Sequence, residues 1–174
     1  MRLLLPNQLI QRLERELRRA GSREIGGLLM GEHVGDELFR VVHISVQRSG
    51  GSHACFIRNP KNHASQLKKF FARTGNDFSR FNYLGEWHSH PSFKPVPSGI
   101  DLQTMQSMVE DPDVGVNFLV LLVCKRATGV NIEISITAFR AGAEPIVVPV
   151  QFEAKPDVSD VGLVQRVRKL FGFR

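Results

Sequence analysis

Two histidines and an aspartate stand close together in this sequence, in the segments His88-Ser89-His90-Pro91 and Ser98-Gly99-Ile100-Asp101. Alternate side chains of a β-strand point to the same face, so His88 and His90 would present both imidazoles to one metal ion. Asp101 lies in the first turn of a predicted helix, and the proline-rich loop before it can return the chain to the same point. Two imidazoles and one carboxylate leave a fourth tetrahedral position for water, which is the pattern of a catalytic zinc site.

Each of these residues also has a plain structural interpretation. A His-x-His pair alone is more often a pair of core or surface histidines than a metal site. Ser98 and Asp101 match S-x-x-D, a helix capping box, and the prolines are ordinary loop residues. Capping uses only part of each side chain's bonding capacity, so it is compatible with metal binding. Because the histidine pair, the loop and the capped helix occur together, we favour the metal site.

Hydrolysis at such a site also requires a general base, and residue types and spacing alone do not identify it. Glu86 precedes His88 by two positions, so it shares the parity of that histidine and should face the metal. It is a candidate for the base or for a second-shell partner that orients a histidine. Trp87 and Ser89 have the opposite parity and should point away, with Trp87 in the core.

Length and composition indicate one globular domain. The chain has 174 residues, 42% of them hydrophobic and 23% charged, which is ordinary for a single core. No apolar run reaches the roughly 18 residues of a membrane helix, and the start lacks the features of a signal peptide. Two cysteines, Cys55 and Cys124, cannot make a disulfide framework and lie in apolar segments. We therefore expect a cytoplasmic protein with inert, reduced thiols and no membrane association.

The net charge of +6 is concentrated near the two ends of the chain. Arginines cluster over residues 12–23, and arginines with a lysine cluster over residues 166–174. We interpret both clusters as solvent faces of amphipathic helices, because no aromatic-and-basic motif accompanies them. Nucleic-acid binding is the weaker alternative.

The elements around the candidate site follow from periodicity. Leucines spaced between Leu9 and Leu17 predict a helix that starts near Pro6 and ends near Gly21. The apolar run Glu24–Gly31 predicts a strand buried on both faces, and its adjacent glycines would let another backbone or a ligand come close. Further strands are predicted at 38–46, 54–57, 81–90, 116–124, 131–139 and 146–150, and further helices from Asn59-Pro60 and Ser98-Gly99.

The strand at 131–139 alternates and should have one wet face. Because helices and strands mix without a strict βαβ rhythm, we expect an α/β (α+β) domain: a mixed, mostly antiparallel sheet flanked by helices. This domain should span residues 1–153, followed by a basic amphipathic tail over 154–174.

The string H-S-H-P-x6-S-x-x-D, from His88 to Asp101, resembles the JAMM motif of the MPN (Mov34/PAD-1, JAB) metalloprotease family. The segment Glu24–Gly31 resembles the family's E-[IV]-G-G-x-L-x-G segment, which carries an upstream glutamate. The resemblance runs from the first helix to about Ile136 and implies a single MPN/JAB domain of the prokaryotic stand-alone type. No residue of the motif is missing, which implies an active member.

The resemblance also implies a role for each motif residue. One Zn²⁺ per chain would be held by His88, His90 and Asp101. Glu24 would be the general base that takes a proton from water on the zinc and passes it to the leaving amine. Ser98 would help to hold the oxyanion. Only the resemblance selects Glu24 over Glu86, which remains a second-shell candidate.

Members of the family typically cut after the C-terminal glycine of ubiquitin or a ubiquitin-like protein, so the resemblance implies a deconjugating or precursor-trimming peptidase. Prokaryotic members often accompany activating and conjugating enzymes, some in antiphage defence operons, and others serve sulfur-carrier proteins. A Gly-Gly tail could pair with a sheet edge near residues 91–98 or after Met30, with Gly27 and Phe93 close to it. The alternative function is a non-catalytic assembly module, which the tail after Pro156 would support.

Overall fold

The computed structural model describes residues 1–48, 60–127 and 132–153. Four predictions lie outside these residues: the environment of Cys55, the loop at 49–52, the strand at 54–57 and the helix of the tail. The helices of the described chain are α1 (Asn7–Ala20), α2 (Pro60–Arg73) and α3 (Gly99–Glu110). Its strands are β1 (Arg2–Pro6), β2 (Gly26–Gly35), β3 (Leu38–Ile44), β4 (Phe81–Ser89), β5 (Leu119–Arg126), β6 (Ile132–Phe139), β7 (Ile146–Val147) and β8 (Val150–Glu153).

These strands form one sheet in the order β7-β6-β5-β4-β2-β3-β1-β8. The pairs β2–β3, β2–β4, β5–β6 and β6–β7 are antiparallel, and β1–β3, β1–β8 and β4–β5 are parallel. The predicted mixed, mostly antiparallel α+β architecture is confirmed. The sheet curls, so that Phe118 before β5 packs on Phe39 of β3 with ring centroids 4.8 Å apart.

Helix α1 covers the inner face of the curled sheet, as its leucine spacing predicts. Leu9, Leu13 and Leu17 are buried in the main core cluster. The helix ends at Gly21, whose φ of 64° suits glycine and whose N–H donates to Leu17 O at 3.1 Å. None of the helices in the described part of the chain is long and apolar enough to cross a membrane.

The two ends of the sheet order differ from the prediction. Arg2–Pro6, for which the sequence predicted no element, forms β1 between β3 and β8, with Leu3 and Leu5 fully buried. The single strand predicted at 146–150 is wrong: it is divided into β7 and β8, which pair at opposite ends of the sheet. Val148, which lies between β7 and β8 in the sequence, is buried where the chain passes from one end of the sheet order to the other.

The predicted wet face of β6 is also wrong for its second half. Residues 136–139 are all buried. Ile136 and Ala138 pack into the core under α1, whereas Phe139 packs on the opposite face with Met105 and Val109 of α3. Both faces of this part of the sheet are therefore covered.

The glycines of β2 serve the packing of the sheet. A Cβ on Gly27 would lie 2.2 Å from the backbone oxygen of Ser45, so the close neighbour is another backbone. The segment after Met30 pairs with β3 on one side and β4 on the other, as Gly31 does with Val41 and Asn82. The predicted substrate edge after Met30 is therefore wrong, because that segment has no free edge.

Candidate metal centre and active site

His88 and His90 lie at the carboxyl end of β4, in the middle of the sheet. Their Nε2 atoms are 3.0 Å apart, and both residues are buried with 8% exposure. Trp87 points away from the histidines, as its position in the strand predicts. It packs in the core, and its Nε1 donates to Ser45 O at 2.8 Å. The strand thus presents two imidazoles to one point.

Asp101 reaches this point from the start of α3. The capping box is present: Asp101 N donates to Ser98 Oγ at 3.2 Å, and Ser98 N donates to Asp101 Oδ2 at 2.7 Å. The same Oδ2 lies 3.6 Å from His88 Nε2 and 3.9 Å from His90 Nε2. The same carboxylate oxygen therefore caps the helix and lies near both histidines, and the capping hydrogen bond fixes its orientation.

The donor set fits a divalent transition metal. One donor atom from each of His88, His90 and Asp101 lies within 4.8 Å of the others. Bonds of 2.0–2.1 Å to a tetrahedral ion place two ligand atoms about 3.3 Å apart, which matches this spacing. His90 Nδ1 lies 3.0 Å from Lys94 O. A carbonyl only accepts, so Nδ1 carries the proton and Nε2 offers its lone pair to the cluster.

The electrostatics of Asp101 favour its charged form. Burial disfavours that form, but the contacts with His88 and Ser98 outweigh burial and hold the pKa of the carboxyl well below its usual range. An ionised carboxylate is the form of Asp101 that metal binding requires.

Glu24 lies two residues before the start of β2 and lines the same cleft as the cluster. It is buried, with 5% exposure. Burial raises its pKa above the ordinary value, an effect that His90 and His88 oppose and Asp101 reinforces. A carboxyl group with a raised pKa is a better proton acceptor than an ordinary one at neutral pH.

Ser89 is a positioning residue that the sequence analysis did not identify. Its Oγ accepts from Ile25 N at 3.0 Å, and its N–H donates to Ile25 O at 2.9 Å. Its position between two candidate ligands, its opposite parity and its hydroxyl group were the sequence features that could have indicated this role. These two hydrogen bonds join Ile25, which follows Glu24, to Ser89, which lies between the two histidines.

Glu86 lies on the cleft side of β4, as its parity predicts. It is buried with 7% exposure and pairs in register with Leu28 and Leu121. Tyr83 Oη donates to Glu86 Oε1 at 3.5 Å. Its place in the cleft is therefore shared with Glu24, and its chemical role stays a prediction.

The cleft has a volume of about 560 Å³ and an apolar rim. Phe93, Val96 and Ile100 line it and are more than half exposed. Ser98 also lines it and is exposed. The predicted proximity of Phe93 to the site is therefore seen.

The other described histidines and Cys124 lie outside the cluster. In the described ranges, the cluster of His88, His90 and Asp101 is the one group of three side chains arranged for a metal ion. His33 stacks on Phe39 at 5.0 Å. Cys124 is fully buried, burial raises the pKa of its thiol, and Sγ lies 3.6 Å from His88 O. This thiol packs behind the site and is inert.

Comparison with known proteins gives relatives of one kind. A "CD-NTase/cGAS isopeptidase" of Enterobacter hormaechei is 29% identical over 114 residues, which are 64% of this chain and 60% of that protein. Proteins of the same name from Vibrio cholerae and Escherichia coli are 38% and 36% identical over 80 and 85 residues, covering 45% and 48% of this chain and 49% and 52% of those proteins. The matched part thus spans about half the length of these relatives.

Among solved structures, that of protein DSY2949 from Desulfitobacterium hafniense has a TM-score of 0.65 and 17% identity, covering 89% of this chain and 95% of that one. This likeness shows the fold alone. The sequence model of the family described as prokaryotic homologs of the JAB domain matches residues 6–140, a span that holds Glu24, the histidine pair and Asp101. The chain therefore belongs to the prokaryotic JAB domain family.

Proposed function

We propose that this protein is a zinc-dependent isopeptidase or peptidase that cleaves after the C-terminal glycine of a ubiquitin-like protein. The observation that carries the proposal is the convergence of His88, His90 and Asp101 beside the buried Glu24 in one cleft. The names of the relatives support an isopeptide bond as the bond that is cut.

His88, His90 and Asp101 would hold one Zn²⁺ per chain. When bound, this ion supplies a water of lowered pKa and polarises the carbonyl of the scissile bond. Its ligands come from a rigid strand and a capped helix, so the site is organised before substrate arrives.

Glu24 acts as the general base. Its carboxylate accepts a proton from the attacking water and passes that proton to the leaving amine, so charge balances over the two steps. Burial of Glu24 supports this role, because its raised pKa brings proton uptake and release closer in energy at neutral pH. The Ser89–Ile25 hydrogen bonds keep this carboxylate at the cleft.

Ser98 stabilises the oxyanion that forms at the carbonyl. Its Oγ accepts from Asp101 N and therefore keeps its own proton available for donation. One such donor typically contributes about 10²–10³-fold in rate. The exposure of Ser98 on the cleft rim supports access to substrate.

The substrate is a ubiquitin-like protein as precursor or conjugate, and the enzymes that activate and conjugate that modifier are the expected partners. The relatives' names make a CD-NTase/cGAS-type protein one candidate for a conjugated partner. A sulfur-carrier protein is the competing candidate for the modifier.

Mass spectrometry of cleavage products tests the proposal. Purified zinc-loaded protein is incubated with fusions of ubiquitin-like proteins from its own genome, and Glu24→Gln serves as the matched control. We expect one cut directly after the terminal glycine, absent with Glu24→Gln or after chelation. Intact fusions and conjugates with a fully zinc-loaded wild type would contradict the proposal and favour the assembly module.

A further inference from the structure

A second pocket lies where the parallel strands β4 and β5 end. Its volume is about 410 Å³. Leu17 and Gly21 of the α1 end form one wall, and Ser89 and Pro91 form another. The remaining side chains are Arg23, Lys125, Arg126 and Ala127.

Among the described residues, the lining of this basic pocket includes Arg23, Lys125 and Arg126 and no carboxylate. Within residues 1–48, 60–127 and 132–153, no ion pair joins Arg23, Lys125 or Arg126 to an acidic side chain. Glu133 pairs with Lys125 in register across β5 and β6, but the two side chains make no salt bridge.

Arg23 and Arg126 are exposed. Lys125 shares the parity of Val123, which packs on the α3 face, whereas Arg126 shares that of Cys124, which packs on the α1 face. The charges of Arg23 and Arg126 are therefore the ones assigned to this pocket.

The end of α1 does not cancel this charge. A helix C-terminus carries about half a negative charge, against the two full positive charges of Arg23 and Arg126 here. Gly21 N also donates to Leu17 O, which satisfies one of the terminal carbonyls. The pocket therefore has a net positive potential that favours an anion.

The basic pocket is next to the metal cleft along two segments of chain. Arg23 directly precedes Glu24, and Pro91 directly follows His90. Ser89, which lines the pocket, lies between the two histidines that line the cleft. A polypeptide bound across the end of β4 can therefore reach both places with residues that are close in its sequence.

We propose that Arg23 and Arg126 of the basic pocket bind a side-chain carboxylate of the polypeptide substrate, close to the bond that is cut. That the bound polypeptide is the substrate rests on the proposed function, whereas the carboxylate site rests on the pocket itself. A peptide is favoured over a nucleic acid because no aromatic side chain of the described residues lines the pocket to stack a base.

Fluorescence anisotropy of labelled peptides tests the pocket without any cleavage. The probes are fluorescein-labelled hexapeptides that differ only in a Glu-Glu or Gln-Gln centre, added to the full chain carrying Glu24→Gln. We expect the Glu peptide to bind about tenfold tighter at low salt, and Arg126→Glu to remove that preference. Lys69→Glu, an equal charge change at an exposed site on α2, should leave it unchanged.

Three results would overturn the carboxylate site. Equal binding of the two peptides would remove charge recognition, and equal losses in Arg126→Glu and Lys69→Glu would indicate general attraction to a basic protein. Stronger displacement of the peptide by a single-stranded oligonucleotide than by unlabelled Glu peptide would favour nucleic acid. Because binding is read without turnover, failure here leaves the cleavage test intact, and failure of cleavage leaves this binding measurable.

Discussion

Ser89 and Ile25 exchange two hydrogen bonds, from Ile25 N to Ser89 Oγ at 3.0 Å and from Ser89 N to Ile25 O at 2.9 Å. Ser89 has 1% exposure, so both bonds are shielded from water. Through them the turn that carries Glu24 is fixed to the strand end that carries both histidines. Glu24 and the histidine pair are therefore positioned by one backbone junction.

Replacing this serine tests the junction. Ser89→Ala leaves the buried N–H of Ile25 without its acceptor, and we expect a loss of about 1–3 kcal/mol in the free energy of unfolding, measured in urea. Turnover should fall further than zinc content, because Glu24 moves while the histidines stay. Ser79→Ala, which removes an exposed bond to Asp77, is the control and should change neither. Unchanged turnover in Ser89→Ala would argue against the positioning role.

Metal content tests the ligand set. By elemental analysis we expect about one zinc per chain in the wild type and a loss of most of it in His88→Ala or Asp101→Ala. Chelation should lower the melting temperature of the wild type, because a ligand that binds only the folded state stabilises it by about 2.7 kcal/mol at a hundred times its Kd. His33→Ala, which removes the ring stacked on Phe39, is the control that keeps its metal. Full zinc content in His88→Ala would reject the site.

The sequence predicted those parts of the fold that depend on near neighbours. The leucine stripe of α1, the capping box at Ser98 and the parity of β4 are local patterns, and each is present. The strand β1 was missed although Leu3 and Leu5 alternate, because five residues gain their burial from distant partners in β3 and β8. The division of 146–150 between two sheet ends depends on the curl, which no local pattern encodes.

In the candidate site, too, some features follow from near neighbours in the sequence and others depend on distant partners. The donor residues follow from spacing, but the Ser89–Ile25 bonds and the Lys94 carbonyl on His90 depend on which backbone comes alongside. For Gly27 the sequence predicted the close approach of another backbone or a ligand, and the fold decides between the two, since the close neighbour is the backbone of Ser45.

Gly27→Ala tests that contact. Ser45 cannot yield, because its N–H donates to Leu28 O, its Oγ accepts from Leu28 N, and its carbonyl accepts from Trp87 Nε1. A methyl group forced against it should cost about 3 kcal/mol of unfolding free energy. Gly99→Ala, where nothing lies within 4 Å of the new Cβ, is the control and should cost little. Equal stability of the two variants by urea titration would show that the β2–β3 contact is looser than described.

His43 should make the protein less stable in mild acid. Burial lowers its pKa from 6.5 to about 4, and Arg12 and Arg73 add to the effect. Arg12 donates to Nδ1 at 3.4 Å, a bond that requires the neutral ring. The unfolded chain takes up the proton near pH 6.5 and the folded chain only near pH 4. The stabilisation is therefore complete above pH 6.5 and lost as the pH falls towards 4.

The difference between those two pKa values amounts to on the order of 3 kcal/mol. Urea titrations of wild type and His43→Gln between pH 4 and pH 7 measure it, and the variant should lack this part of the slope. His33→Gln should retain it. Parallel slopes for wild type and His43→Gln would assign the acid sensitivity to other groups.

The roles of the two glutamates of the cleft, Glu24 and Glu86, can be separated by their kinetic signatures. Glu24→Gln keeps the shape but cannot accept a proton, so we expect kcat to fall by about 10²–10⁴-fold with KM and zinc content unchanged. Glu86→Gln should lower kcat by less than about tenfold if Glu86 only supports the site. Tyr83→Phe removes the hydroxyl that donates to Glu86 and should reproduce that smaller change. A larger kcat loss in Glu86→Gln than in Glu24→Gln, with both variants zinc-loaded, would transfer the base to Glu86 and overturn the role of Glu24.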